Sequence, residues 1–147
     1  MKYLLGILIL FSGLSFSIPL EELRERYQDI NEEDTLLVCD EKKSANLEYR
    51  FLLIISEISE LASVERYNRT YVEYDAKLMK VIETASEFKI TSKNSNEGVL
   101  LSIDRFTLEM RVLAGKWQCR KVNKFDYRLA RLELMLMVEN IKLDRKI

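Results

Sequence analysis

The side chains able to do chemistry in this chain are few, and one type is missing. The 147 residues contain no histidine. That removes Ser-His-Asp and Cys-His nucleophile activation, the commonest general base, and most zinc and iron sites. Phosphate-cradling loops of the GxxxxGK or GxGxxG kind are also absent from the sequence. Carboxylates, cations, tyrosines and two cysteines remain. Asp104 and Arg105 stand at a break between strand-like runs. They could contact an anionic ligand, or close a turn with a hydrogen bond and an ion pair, which is the simpler reading. Acidic pairs such as Glu32 and Glu33 could support a carboxylate-based hydrolase, which needs two carboxylates across a cleft. With 24 acidic residues, such pairs arise by chance. No catalytic residue, metal site or cofactor is expected.

Tyr67, Tyr71 and Tyr74 could line a ligand surface, although half-buried strand packing explains them better. Asn68-Arg69-Thr70 is an N-glycosylation sequon, relevant only if the chain passes through a eukaryotic secretory pathway.

The elements that must position these groups begin with an export signal. Lys2 precedes an uncharged apolar run, and Ser15-Phe16-Ser17 offers small residues for a peptidase. The pattern predicts a signal peptide over residues 1–17, cut between Ser17 and Ile18. The alternative is an uncleaved membrane anchor. Cleavage would leave 22 basic and 24 acidic residues, since only Lys2 is lost. So balanced a chain gives no reason to expect nucleic-acid binding. The charge is uneven, however. Residues 18–34 carry seven acids and two arginines, whereas residues 116–147 carry nine bases and four acids. The basic C-terminal segment could meet a protein partner or an anionic membrane surface.

Cys39 and Cys119 are the only cysteines. An even count in an exported chain predicts a disulfide. Around them the pattern reads as strands. TLLVCDEK, VEYDAKL, EFKITSK and TLEMRVL are short and alternating or apolar. Ala114-Gly115-Lys116 then supplies a hairpin loop in which Gly115 is expected to take positive φ. Trp117 and Cys119, two apart, share a face, which places Trp117 against the bridge. Residues 47–67 fit either a helical stripe through Phe51, Ile54, Ile55, Ile58 and Leu61 or alternating strands. Residues 18–34 predict an amphipathic helix, and residues 123–147 a second one presenting Leu129, Leu132, Leu136 and Ile141. Residues 125–146 could also alternate as a strand.

SIDRFTLEM, with VCDEK before it and WQCRKV after, resembles a group of small exported bacterial β-rich proteins of unknown function. They share an Ile, an Asp or Asn, an Arg, any residue and a Thr, and a cysteine near each end of the domain. The matching residues here are Ile103, Asp104, Arg105 and Thr107, with Cys39 and Cys119, over roughly residues 35–122. The resemblance implies an antiparallel β-meander joined by a disulfide and carries no activity.

The expectation is therefore an exported α+β domain. An antiparallel sheet of about six or seven strands spans residues 35–122 and lies between two helices. An all-α bundle is the alternative. The expected function is a non-enzymatic binding or structural module, periplasmic or extracellular. The alternatives are a membrane-associated partner protein, held by an uncleaved signal or the basic C-terminal segment, and a carboxylate-based hydrolase.

Overall fold

Apolar residues recurring every second position build strands whose inner faces meet. In the computed structural model, residues 30–44, 46–92, 98–113 and 115–145 are described. The order is β1 (Thr35–Glu41), a short 3-10 helix (Leu47–Tyr49), β2 (Phe51–Ser56), β3 (Leu61–Asn68), β4 (Glu73–Glu83), β5 (Glu87–Thr91), β6 (Leu101–Asp104), β7 (Glu109–Val112), β8 (Gly115–Lys121) and α1 (Lys124–Arg145). Each strand runs antiparallel to the one before it, and β8 returns to pair with β1. The sheet is thus a closed eight-stranded barrel, not a six- or seven-stranded meander. The all-α alternative is overturned. Closure leaves no edge strand with unpaired backbone groups.

Leu37, Leu53, Ile55, Ile90, Ile103 and Met110 point inward and are almost wholly buried, so the middle of the barrel is a packed core. Eight strands enclose just enough space for side chains to fill it or for one small ligand. The Cys39–Cys119 disulfide lies in this interior, between directly opposed residues of β1 and β8. It joins the first and last strands where the barrel closes.

The ambiguity at residues 47–67 has a physical cause. β1 and β2 are buried on both faces, because α1 lies outside them. Leu36, Val38, Leu52 and Ile54 face the helix while Leu37, Leu53 and Ile55 face the core. Such strands read as continuous apolar runs, which periodicity alone cannot distinguish from helix.

α1 forms as expected, capped by the Asn123 side chain, which accepts from the Asp126 N–H at 2.7 Å. Its buried face is not the expected one. Tyr127, Ala130, Leu134 and Val138 meet the barrel, whereas Leu129, Leu132 and Leu136 are 42–46% exposed. The N-terminal helix is not seen where it can be checked. Ile30 packs beneath α1, and Asn31–Asp34 is a turn in which the Asp34 N–H bonds the Asn31 carbonyl at 3.1 Å. Residues 18–29, the expected signal at 1–17 and its Ser17–Ile18 junction lie outside the described residues.

The outer faces of β5, β7 and β8 carry Lys89, Arg111, Lys116, Gln118 and Arg120, opposite the apolar interior. A bilayer-spanning barrel has the reverse arrangement, apolar outside and polar within. Among the described residues, no helix is long and apolar enough to cross a membrane.

Candidate ligand site at the barrel mouth

Strand polarity sorts the connections into two ends. The strand ends joined by the β1–β2, β3–β4, β5–β6 and β7–β8 connections gather at one end, here called the mouth. The β2–β3, β4–β5 and β6–β7 turns gather at the other. Towards the mouth, the inward-facing residues change character. On β3, Ala62 and Val64 are followed by Arg66; on β4, Val81 and Met79 give way to Lys77 and Asp75. The period of two that keeps apolar residues inside therefore also places these three charged residues on the inner wall.

There the interior opens into a cavity of about 500 Å³. Phe51, Val64, Met79 and Leu101 form its apolar part, Arg66, Lys77 and Asp75 contribute polar groups from the inner wall, and Ser102 and Arg111 border it from outward positions of β6 and β7. Small-molecule sites commonly have about 300–1,000 Å³ of mostly apolar space with a few polar groups to orient the ligand. Arg66 and Asp75 face one another across the strand pair. Neither Arg66 nor Lys77 has an ion pair among the described residues. Arg111 is engaged by Glu109 at 3.3 Å.

Two features of the rim run against ordinary stability. Leu113, which lines the cavity, has φ of 51° and is 99% exposed. A left-handed conformation costs a non-glycine residue roughly 1–2 kcal/mol, and Glu60, Val72 and Leu108 adopt it in other turns of the barrel. Val99 and Leu100 are also exposed apolar residues on the lining.

Gly115 differs from expectation: among the described glycines, none has positive φ. It is required instead by Trp117, whose ring lies over it. Trp117 is fixed by an edge-to-face contact with Phe51 at 5.4 Å and by donation from its Nε1 to the Tyr49 carbonyl at 2.7 Å. Among the described residues of this turn, the left-handed one is Leu113.

Asp104 and Arg105 sit at the opposite end. Asp104 Oδ1 accepts from the N–H groups of Phe106 and Thr107 at 2.8 and 2.9 Å. These bonds, that from Thr107 first, hold the carboxyl below the usual range. Arg105 donates to the Thr84 carbonyl at 2.7 Å, pairs with Glu83 at 2.9 Å and covers Phe88. The pair thus links two neighbouring turns, and the barrel's length separates it from the mouth. A second cavity, of about 480 Å³, lies at this end and is lined in part by Glu57, Glu60, Lys80 and Glu83.

The other expected residues disperse. Glu32 and Glu33 are exposed in the turn before β1. Asn68 caps the β3–β4 turn, accepting from the N–H groups of Thr70 and Tyr71. Tyr67 and Tyr74 oppose one another on the outer face under α1, and Tyr71 is exposed in the turn.

Sequence reasoning did not single out Glu65, which is wholly buried between β3 and α1. Its carboxylate pairs with Arg131 at 2.7 Å and accepts from the Tyr127 hydroxyl, with Tyr74 also hydrogen-bonded to it. Burial pushes the carboxyl upward, while Arg131, Tyr127 and Tyr74 oppose the shift. Burial disfavours the Arg131 charge too, but the adjacent carboxylate outweighs this and holds the guanidinium above its ordinary value. These groups join helix to barrel. They explain which face of α1 turns inward, since Tyr127 and Arg131 are one turn apart. An acid among strand residues that otherwise alternate apolar inward and polar outward carried no such signal.

Arg66, Lys77 and Leu113 were likewise missed. Continuing the period of two from Val64 and Met79 could have found the first two. Among the described residues, no three acidic or sulfur-bearing side chains converge on a metal position. No family model, characterised protein or solved structure matches this chain.

Proposed function

We propose that this chain is an exported, non-enzymatic binding module that holds a small, largely apolar molecule in the mouth of its barrel. The observation that carries the reading is the cavity of about 500 Å³, apolar at its floor and charged on one wall, above a filled core. Export is supported by the signal-like pattern of residues 1–17 and by the disulfide, which is consistent with an oxidising compartment. The binding reading is favoured over hydrolysis because Asp75 is the cavity's one carboxylate among the described lining residues. A two-carboxylate mechanism needs a second.

A membrane-associated reading draws on the exposed stripe of α1, which includes Phe125, Leu129, Leu132 and Leu136. Asp126 and Glu133 share that exposed side of the helix with Arg128, a mixture that anionic lipid does not favour.

The test is native mass spectrometry of the protein from an exported fraction, followed by methyl NMR with added apolar ligands. A bound small molecule, or shifts confined to Val64, Met79 and Leu101, is the expected result. Saturating hydrophobic probes that leave those methyls unmoved would remove the reading.

A further inference from the structure

Resting on this reading of the mouth as a ligand site, we infer that its ligand is a short amphipathic monoanion, with a carboxylate head at Arg66 and Lys77. Among the described lining residues two cations stand on the inner wall, Arg66 and Lys77; Arg111 borders the cavity from the outward position between Met110 and Val112. Asp75 offsets one of the two inner cations, while the outward Arg111 shares Glu109 with Lys42. One positive charge is left, which a single carboxylate balances; a phosphate monoester carries nearly twice the charge.

The register supplies the geometry. Arg66 is opposite Asp75 and Lys77 is opposite Val64, so Arg66 and Lys77 are diagonal neighbours on the inner wall. Their Cα atoms are then about 7–8 Å apart, within reach of one head group for two long side chains. Neither has an ion pair among the described residues, so a carboxylate displaces no partner among them. Guanidinium and ammonium bonds to a carboxylate are among the stronger polar contacts available.

The floor limits the other end of the ligand. Phe51, Val64, Met79 and Leu101 receive an apolar group, but beyond them Leu53, Ile90 and Met110 are fully or almost fully buried and leave no channel. The tail must be short. Leu113, exposed and left-handed at the rim, is placed to cover it once seated.

The experiment compares octanoate, octanol and octylammonium, identical in their chain and different in charge, against the intact oxidised protein. Calorimetry measures affinity, and methyl NMR of Val64, Met79 and Leu101 locates the site. Octanoate should bind at least about tenfold more tightly than octylammonium, a difference of about 1.4 kcal/mol, with octanol between them. Added salt should weaken octanoate alone. The R66Q/K77Q double variant should abolish the preference while keeping the affinity for octanol. Asp75→Asn should strengthen octanoate. If octanol equals octanoate at these methyls, or octylammonium exceeds both, the head-group inference fails and the cavity reading stands. If none of the three moves the methyls, both fail together.

Discussion

A Cβ atom placed on Gly115 would lie 2.5 Å from Cζ3 and 2.7 Å from Cη2 of Trp117. The two residues share a face of β8, and the indole occupies the space that any other side chain would need. The ring has little freedom to move, since Phe51 packs edge-to-face with it and the Tyr49 carbonyl holds its Nε1. Gly115→Ala should therefore destabilise the fold by about 1–3 kcal/mol, the usual cost of overpacking. Trp117 is the only tryptophan, so its fluorescence reports directly on the displaced ring. Unchanged emission with an unchanged urea midpoint would contradict this account.

Glu65 and Arg131 should behave as a unit. Removing one partner leaves an uncompensated buried charge, so Glu65→Leu should cost about 3–5 kcal/mol. The E65L/R131L double variant should recover a large part of that loss, because replacing both charges with apolar groups is often close to neutral. Equilibrium denaturation of the two singles and the double closes the cycle. Additive losses would mean that the pair does not act together.

Reducing the disulfide should weaken the barrel without preventing its strands from pairing. The 80-residue separation gives an upper estimate of about 4–5 kcal/mol from chain entropy. Urea unfolding with and without reductant measures it, against C39A/C119A as a control. An identical midpoint in all three samples would show that the bridge does not constrain the unfolded chain.

The Asp104 carboxyl is held below its ordinary value of 3.8 by the backbone N–H groups of Thr107 and Phe106. Folding therefore favours its charged form. Its contribution is present above the unfolded value and lost as pH falls through the lower folded value. The stability difference between the native chain and Asp104→Asn should persist near neutrality and shrink in acid. Glu65 has the opposite sign: burial raises its carboxyl, so what it contributes is present below 4.5 and lost as pH rises through its folded value. Carboxyl NMR titration separates the two, and an upward-shifted Asp104 would refute the turn assignment.

The two faces of α1 should differ sharply. Leu134 is fully buried against the barrel, so Leu134→Ala should cost about 2–5 kcal/mol. Leu132 is 46% exposed, and Leu132→Ser should cost far less, within about 0.5 kcal/mol if its surroundings are free. Thermal melts of the two variants decide the matter, and a reversed order would mean the helix packs on its other face.

Much of the framework was legible in residue types and spacing. Strict alternation around Leu108, Met110 and Val112 marks β7, and the cysteine count gave the Cys39–Cys119 bridge. Less legible was anything set by a neighbour distant in sequence. The helical look of residues 51–62 came from burial on both faces, and only the position of α1 explains it. The stripe through Leu129, Leu132 and Leu136 is as regular as the buried one, so periodicity could not choose between them. The barrel chose, because Glu65 on β3 engages Tyr127 and Arg131.

The candidate site shows the same division. Local sequence determined which residues form strands, that Trp117 and Cys119 share a face, and that Asp104 begins a turn, because each depends on bonds and sterics spanning a few residues. The return of β8 to β1, the cavity this closes, and the meeting of Arg66, Lys77 and Leu113 around it were decided by tertiary structure alone. Register between distant strands is set by the summed burial of a whole inner face, a quantity that no short stretch of chain contains.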